Sequence, residues 1–78
     1  MVSDVRIAEV LRALARDRRG RTFCPSEAAR QLDRDWRPLM PEIRRVAADI
    51  GLAATQKGVR VDPVAARGPI RLSGQCPN

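Results

Sequence analysis

Eight cations carry what chemistry this sequence offers: Arg37, Arg44 and Arg45 in "DWRPLMPEIRRVAADIG", Lys57 and Arg60 in "TQKGVR", and Arg16, Arg18 and Arg19 in "LARDRRGR". A guanidinium presents a fixed fork of N–H donors that fits a phosphate or a guanine edge, and an ammonium acts as a point charge. The implied work is contact with a polyanion, not bond making. Arg44 and Arg45 fall where a groove-facing helix displays its donors. The other reading of the same two residues is that they pair with Glu42 and Asp49 on a solvated face. The pairing reading draws on two features: residues 22–50 hold five arginines against five acids, and Pro38 and Pro41 remove N–H groups that a helix N-terminus uses to hold phosphate.

Lys57 and Arg60 stand on either side of a tight turn, with Arg67 and Arg71 beyond it. A basic hairpin of this kind can lie along a phosphate backbone, although a lysine in a surface turn is also an ordinary solubilising residue. Together with Arg16, Arg18, Arg19 and Arg21 after the first helix, these residues make sequence-independent phosphate contact the expected source of any affinity.

Other reactive residue types are scarce. There is no histidine, and the two cysteines, Cys24 and Cys76, fall short of the usual four zinc ligands. No metal or cofactor is expected. Cys24 precedes a helix start, where the dipole favours thiolate, but it has no base and lies between Phe23 and Pro25, which favours a packed cap. Cytosolic reduction would leave the pair unbridged. No glycine-rich phosphate loop, serine elbow or paired-carboxylate cleft is present, so the chain reads as non-enzymatic. Trp36, the one tryptophan, could stack on a base. Its spacing to Leu39, Met40 and Ile43 makes it instead an expected core anchor.

Excess charge sits at the two ends of the chain. The net charge is +6, and residues 1–21 hold six arginines against three acids. Residues 51–78 hold four basic residues against Asp62 alone. Such a balance suits a polyanionic partner or simply a soluble basic surface. At 44% hydrophobic and 31% charged the composition is that of a folded chain, and 78 residues make one domain with a thin core, burying roughly 60% of its unfolded surface. No signal-like or membrane-spanning run is visible, and a cytoplasmic location is expected.

The elements that must position these residues follow from periodicity. Ser3 caps a first helix, whose stripe Ile7, Val10, Leu11, Leu14 and Ala15 runs to about Asp17, with Gly20 as its left-handed exit. "TFC" is one brief strand. Pro25 and Glu27 open a second helix with Ala28, Ala29 and Leu32 inward. Asp35 caps a turn from Trp36 to Leu39, Pro41 starts the regular third helix, and Gly51 ends it, with Met40, Ile43, Val46, Ala47 and Ile50 on its apolar face. Leu52–Gln56 and Val59–Val61 pair as a hairpin through Lys57-Gly58. "DPVAARG" is one capped turn closed by Gly68, and "PIRL" is a last strand. The order predicts an α+β, mostly α, winged helix: three helices with a helix-turn-helix, plus a small antiparallel β-hairpin sheet over residues 3–72, followed by a flexible tail, 73–78.

"TFCPSEAAR", "DWRPLMPEIRRVA", "TQKG", "VDP" and "ARGPIRL" resemble, in the same order, a family of short bacterial proteins catalogued as a domain of unknown function. The resemblance covers roughly residues 5–72. It implies a winged-helix-like fold and a bacterial source, and it implies no activity. One departure is a link between "RRVA" and "TQKG" about four residues shorter than the family pattern, which is about one helical turn. Two functions are carried forward. One is contact with double-stranded DNA through its backbone, with Arg44 and Arg45 adding any sequence preference. The other is a protein-interaction or homodimerisation module of the same fold, its thin core completed by the partner.

Overall fold

The computed structural model describes residues 2–74. Helix α1 spans Asp4–Asp17, α2 spans Pro25–Leu32 and α3 spans Met40–Asp49, the last entered through a single 3-10 turn at Arg37–Leu39. Strands β1 (Ala53–Gln56), β2 (Val59–Arg60) and β3 (Arg71–Ser73) form one antiparallel sheet in the order β2-β1-β3. The result is an α+β fold, consistent with a winged-helix-like arrangement.

Local sequence accounts for the helix ends. The Ser3 hydroxyl accepts from the Arg6 N–H at 3.2 Å, and Asp4 lies in the positive first turn of α1. Glu27 Oε2 accepts from the Cys24 N–H at 3.1 Å, which satisfies an otherwise orphaned donor at the start of α2. Ahead of α3 the carboxylate that accepts is Asp33, bound to the Asp35 N–H at 3.1 Å; Asp35, the expected cap, is the donor residue. Helix α3 closes as a Schellman motif. Gly51 takes φ +78° while its N–H reaches Ala48 O, and the Leu52 N–H reaches Ala47 O. The chain therefore leaves α3 and enters β1 almost at once, as the short link in the sequence requires.

In the hairpin, Lys57 (φ +52°) and Gly58 (φ +81°) both take positive φ, as a two-residue type I′ turn demands. Glycine takes that conformation freely, whereas at Lys57 it is strained. The segment after β2 is a turn, with Asp62 Oδ1 accepting from the Val64 N–H at 2.8 Å. Pairing in β3 continues through Ser73, opposite Ala53, one residue past the domain end read from the sequence. Residues 75–78 of the expected tail, with Cys76, lie outside the described residues.

One core serves all elements. Ile7, Leu11, Phe23, Ile43 and Leu72 are fully buried, and Ala28, Ala29, Val46, Ala47 and Ala54 fill the space between helices and sheet. "TFC" is an isolated bridge: Phe23 and Leu72 exchange both backbone hydrogen bonds at 2.7 Å. The α1–α2 loop thus extends the sheet beyond β3, and the core face of the sheet reads Ala54, Leu72, Phe23.

Trp36 corrects an expectation. It lies at the margin of the core, half-buried, with the Arg30 and Arg37 guanidinium carbons each 4.8 Å from its ring centroid. One face of the indole packs against the core margin and the rest of the ring stays outside, where cations cover it. Met40 is likewise half-buried.

Candidate nucleic-acid interface

Period-two alternation sets what the sheet presents outward. Thr55 pairs with Arg60 on one side and with Arg71 on the other. Directly opposed residues send their side chains to the same face, and this is the face opposite Ala54 and Leu72. Arg60, Thr55 and Arg71 therefore form one rung across all three strands on the outer face, with the two arginines about 10 Å apart at two strand spacings.

Arg71 carries this rung on to the α1–α2 loop. Its Nε donates to Thr22 Oγ1 at 3.0 Å and its Nη2 to Thr22 O at 3.1 Å. The two basic ends of the sequence, far apart along the chain, meet here. The loop that contains Arg19 and Arg21 runs beside β3, and the hairpin with Lys57 and Arg60 lies across the sheet from it.

The eight cations singled out from the sequence divide by what holds them. Arg45 is enclosed by acids: Nη2 lies 2.7 Å from Asp4 Oδ1 and 2.6 Å from Glu42 Oε2, and Nη1 lies 3.6 Å from Asp49. These carboxylates push its pKa up, Asp4 most strongly, and Arg45 in turn holds Asp4 below the usual carboxylate range. The pairing reading thus describes Arg45, with Asp4 as a third acid that spacing along α3 could not reveal.

Arg44 pairs with no acid among the described residues. Its Nη1 donates to Ala66 O at 2.7 Å and its Nη2 to Gly68 O at 2.6 Å. Arg18 is held by Glu27 at 2.7 Å, a contact that raises its pKa and lowers that of Glu27, which the Cys24 N–H lowers further. Arg37 lies on Trp36. Arg16, Arg19, Lys57 and Arg60 are exposed, with no ion pair or hydrogen bond of their side chains among the described residues.

The outward surface of α3 is consequently Pro41, Glu42, Arg45, Ala48 and Asp49, one committed guanidinium among acids. Phosphate would be repelled there. Lys57 and Arg60 belong instead to the hairpin of the sheet, and Arg19 to the loop beside β3. Sequence reading missed Arg71 and Thr22 as the connection between sheet and loop, because only the Phe23–Leu72 bridge brings them together.

An open groove of about 290 Å³ runs along this sheet side, lined by Thr55, Gln56, Lys57, Pro69, Ile70 and Arg71. Gln56 Nε2 donates to Arg67 O and Pro69 O, so its amide fixes the groove wall. A second groove, between α1 and α3, has Val5, Ala8, Val46 and Ile50 in its lining, with Asp4, Glu9, Arg12 and Asp49. Among the described residues no group of three potential metal ligands occurs, and no helix is long and apolar enough to cross a membrane. Cys24 Sγ lies 3.0 Å from Ser26 Oγ at the start of α2.

A family model matches residues 4–75, nearly the whole chain and every element of the fold. The chain belongs to the family described as "Protein of unknown function (DUF3253)". No curated protein matches it. Membership accounts for the ordered motifs from "TFCPSEAAR" to "ARGPIRL" and brings no activity with it.

Proposed function

We propose that this domain is a non-enzymatic nucleic-acid-binding module that grips the phosphate backbone through its sheet side. The contacts are Lys57 and Arg60 on the hairpin, Arg16 in the last turn of α1 and Arg19 just after it, and Arg71 and Arg21 between them. One observation carries the reading: the Arg71–Thr22 clasp and the Phe23–Leu72 bridge join the two basic ends of the chain into one region. Arg44 and Arg45 leave the contact set, because loop carbonyls hold the first and acids hold the second. Without them the module has no helix with which to read bases, so its binding depends little on sequence.

Titration of random-sequence DNA at two salt concentrations tests this. Three to five neutralised duplex phosphates give a slope of log affinity against log salt of roughly −3 to −4.5. The double variant K57A/R60A reduces that slope by about two of the contacts, and the Arg12→Ala variant leaves it unchanged. No binding at roughly 50 mM salt, where such contacts are strongest, would refute the reading.

A second reading has its own support on the opposite side. Val5 is 72% exposed in the groove with Val46 and Ile50, which suits a protein partner or a second copy. Light scattering across protein concentration tests it: a dimer that Val5→Lys abolishes favours association, and a monomer throughout, with no partner bound, removes it.

A further inference from the structure

The sheet side has a shape as well as a charge. The groove of about 290 Å³ beside β1 is lined by exposed Pro69, by Thr55 and Gln56, and by Lys57 and Arg71, with the backbone of buried Ile70 at its floor. Lys57 and Arg71 therefore belong to the lining of a partly apolar trough, and Arg60 stands beside its Thr55 on the outer rung. The trough is also well fixed. Gln56 ties its wall to Arg67 O and Pro69 O, and Arg44 ties the same segment to α3 through Ala66 O and Gly68 O.

Lys57 adds a further observation. It occupies a positive-φ position of the turn (φ +52°) that asparagine or glycine fills with less strain. A strained residue at the lip of a groove, its ammonium without a partner among the described residues, is a reason to look for a bound anion there.

Duplex DNA makes poor use of such a surface. Its bases are stacked inside, and the helix that would enter a major groove carries acids outward. A single strand offers what the trough lacks: an unstacked, flat apolar base with a phosphate on either side. We infer that the outer face of the sheet is a single-strand site, with one base seated against Pro69, one flanking phosphate on Lys57 and the next toward Arg60 and Arg71. This inference rests on the nucleic-acid reading above and specifies its substrate. No aromatic residue is in the lining, so the gain from the base is smaller than that of aromatic stacking.

Fluorescence anisotropy with the full chain decides it, using a labelled oligothymidine of about 12 nucleotides, a random duplex of equal length and a polyglutamate chain, all at about 50 mM salt. The single strand is expected to bind about fivefold or more tighter than the duplex. Thr55→Glu, which sets a carboxylate between Arg60 and Arg71, should weaken it about tenfold or more while circular dichroism stays unchanged. Should that variant fail to fold, Arg60→Glu on the exposed edge strand gives the same readout. Duplex binding equal to or tighter than single-strand binding overturns the inference and leaves backbone gripping in place. Polyglutamate binding as tightly as the oligonucleotide also overturns it. Failure of all three probes to bind overturns both readings.

Discussion

Arg44 and Gln56 share four consecutive carbonyl groups between them. Arg44 donates to Ala66 O and Gly68 O, and Gln56 donates to Arg67 O and Pro69 O. One side chain comes from α3 and the other from the end of β1, so the segment between β2 and β3 is fixed from both sides. A loop whose carbonyls are satisfied by side chains takes its geometry from the scaffold, not from its own residues. Replacing Arg44 with alanine should cost about 1–2 kcal/mol, toward the lower end for hydrogen bonds with a charged partner because the site is part-exposed. Urea unfolding checks this as a lower midpoint at constant slope. Arg44→Lys should not rescue, since one ammonium cannot reproduce a two-pronged grip on Ala66 O and Gly68 O. Full stability in the alanine variant would show the clasp to be incidental.

The limits of the sequence reading follow from the same pair. Helix ends were legible because their causes are local: Ser3, Pro25, Glu27 and Gly51 act within a turn of their own position. The strands were legible because Lys57-Gly58 dictates a hairpin and Ile70 to Leu72 alternates. What Arg44 grips was not, because its partners lie 22 and 24 residues on, across a gap whose geometry only the folded core defines. Arg71 and Thr22, 49 residues apart, escaped for the same reason. Of the eight candidate cations, Lys57, Arg60, Arg16 and Arg19 have no side-chain partner among the described residues. Arg45 resolved to its local partners Glu42 and Asp49 plus one distant acid.

Trp36 offers a graded test of packing at the core margin. A fully buried tryptophan cut to alanine costs about 3–5 kcal/mol. The half-exposed ring here should cost less, about 1.5–3 kcal/mol, because much of its area already faces water. Removing Arg30 or Arg37 should cost about 0.5–1 kcal/mol through the lost cation–π contact, and should shift the emission of this sole tryptophan. A loss above about 4 kcal/mol for Trp36→Ala would mean the ring holds the core together from inside.

Acid should unfold the protein through Glu27 and Asp4. Hydrogen bonds from Arg18 and Arg45, respectively, hold both carboxyls below their usual range. Their folded-state pKa values are thus lower than in the unfolded chain, so the folded state binds fewer protons. The stabilisation is complete above about pH 4.5, the ordinary carboxylate range, and is lost as pH falls through the folded values. With no histidine, the thermal midpoint should stay level between about pH 5.5 and 8. Below about 4.5 it should fall. Glu27→Gln should lower the midpoint at neutral pH and flatten the acid decline. A wild-type midpoint that rises on acidification contradicts the ion-pair assignment.

Lys57 sets stability against binding at one position. Two-residue turns with positive φ at both central residues favour Asn-Gly, because asparagine enters the left-handed region more easily than lysine does. Lys57→Asn should therefore stabilise the hairpin by about 0.5–1 kcal/mol, in the range of other relieved backbone positions. The same change removes one cation at the lip of the groove. In the binding assay it should weaken nucleic-acid affinity and reduce the salt slope by about one contact. Opposite signs are the expected result: a higher unfolding midpoint and a lower affinity in the same variant. A gain in stability with affinity untouched would leave Lys57 a surface lysine in an awkward turn, and the contact set would then have to do without it.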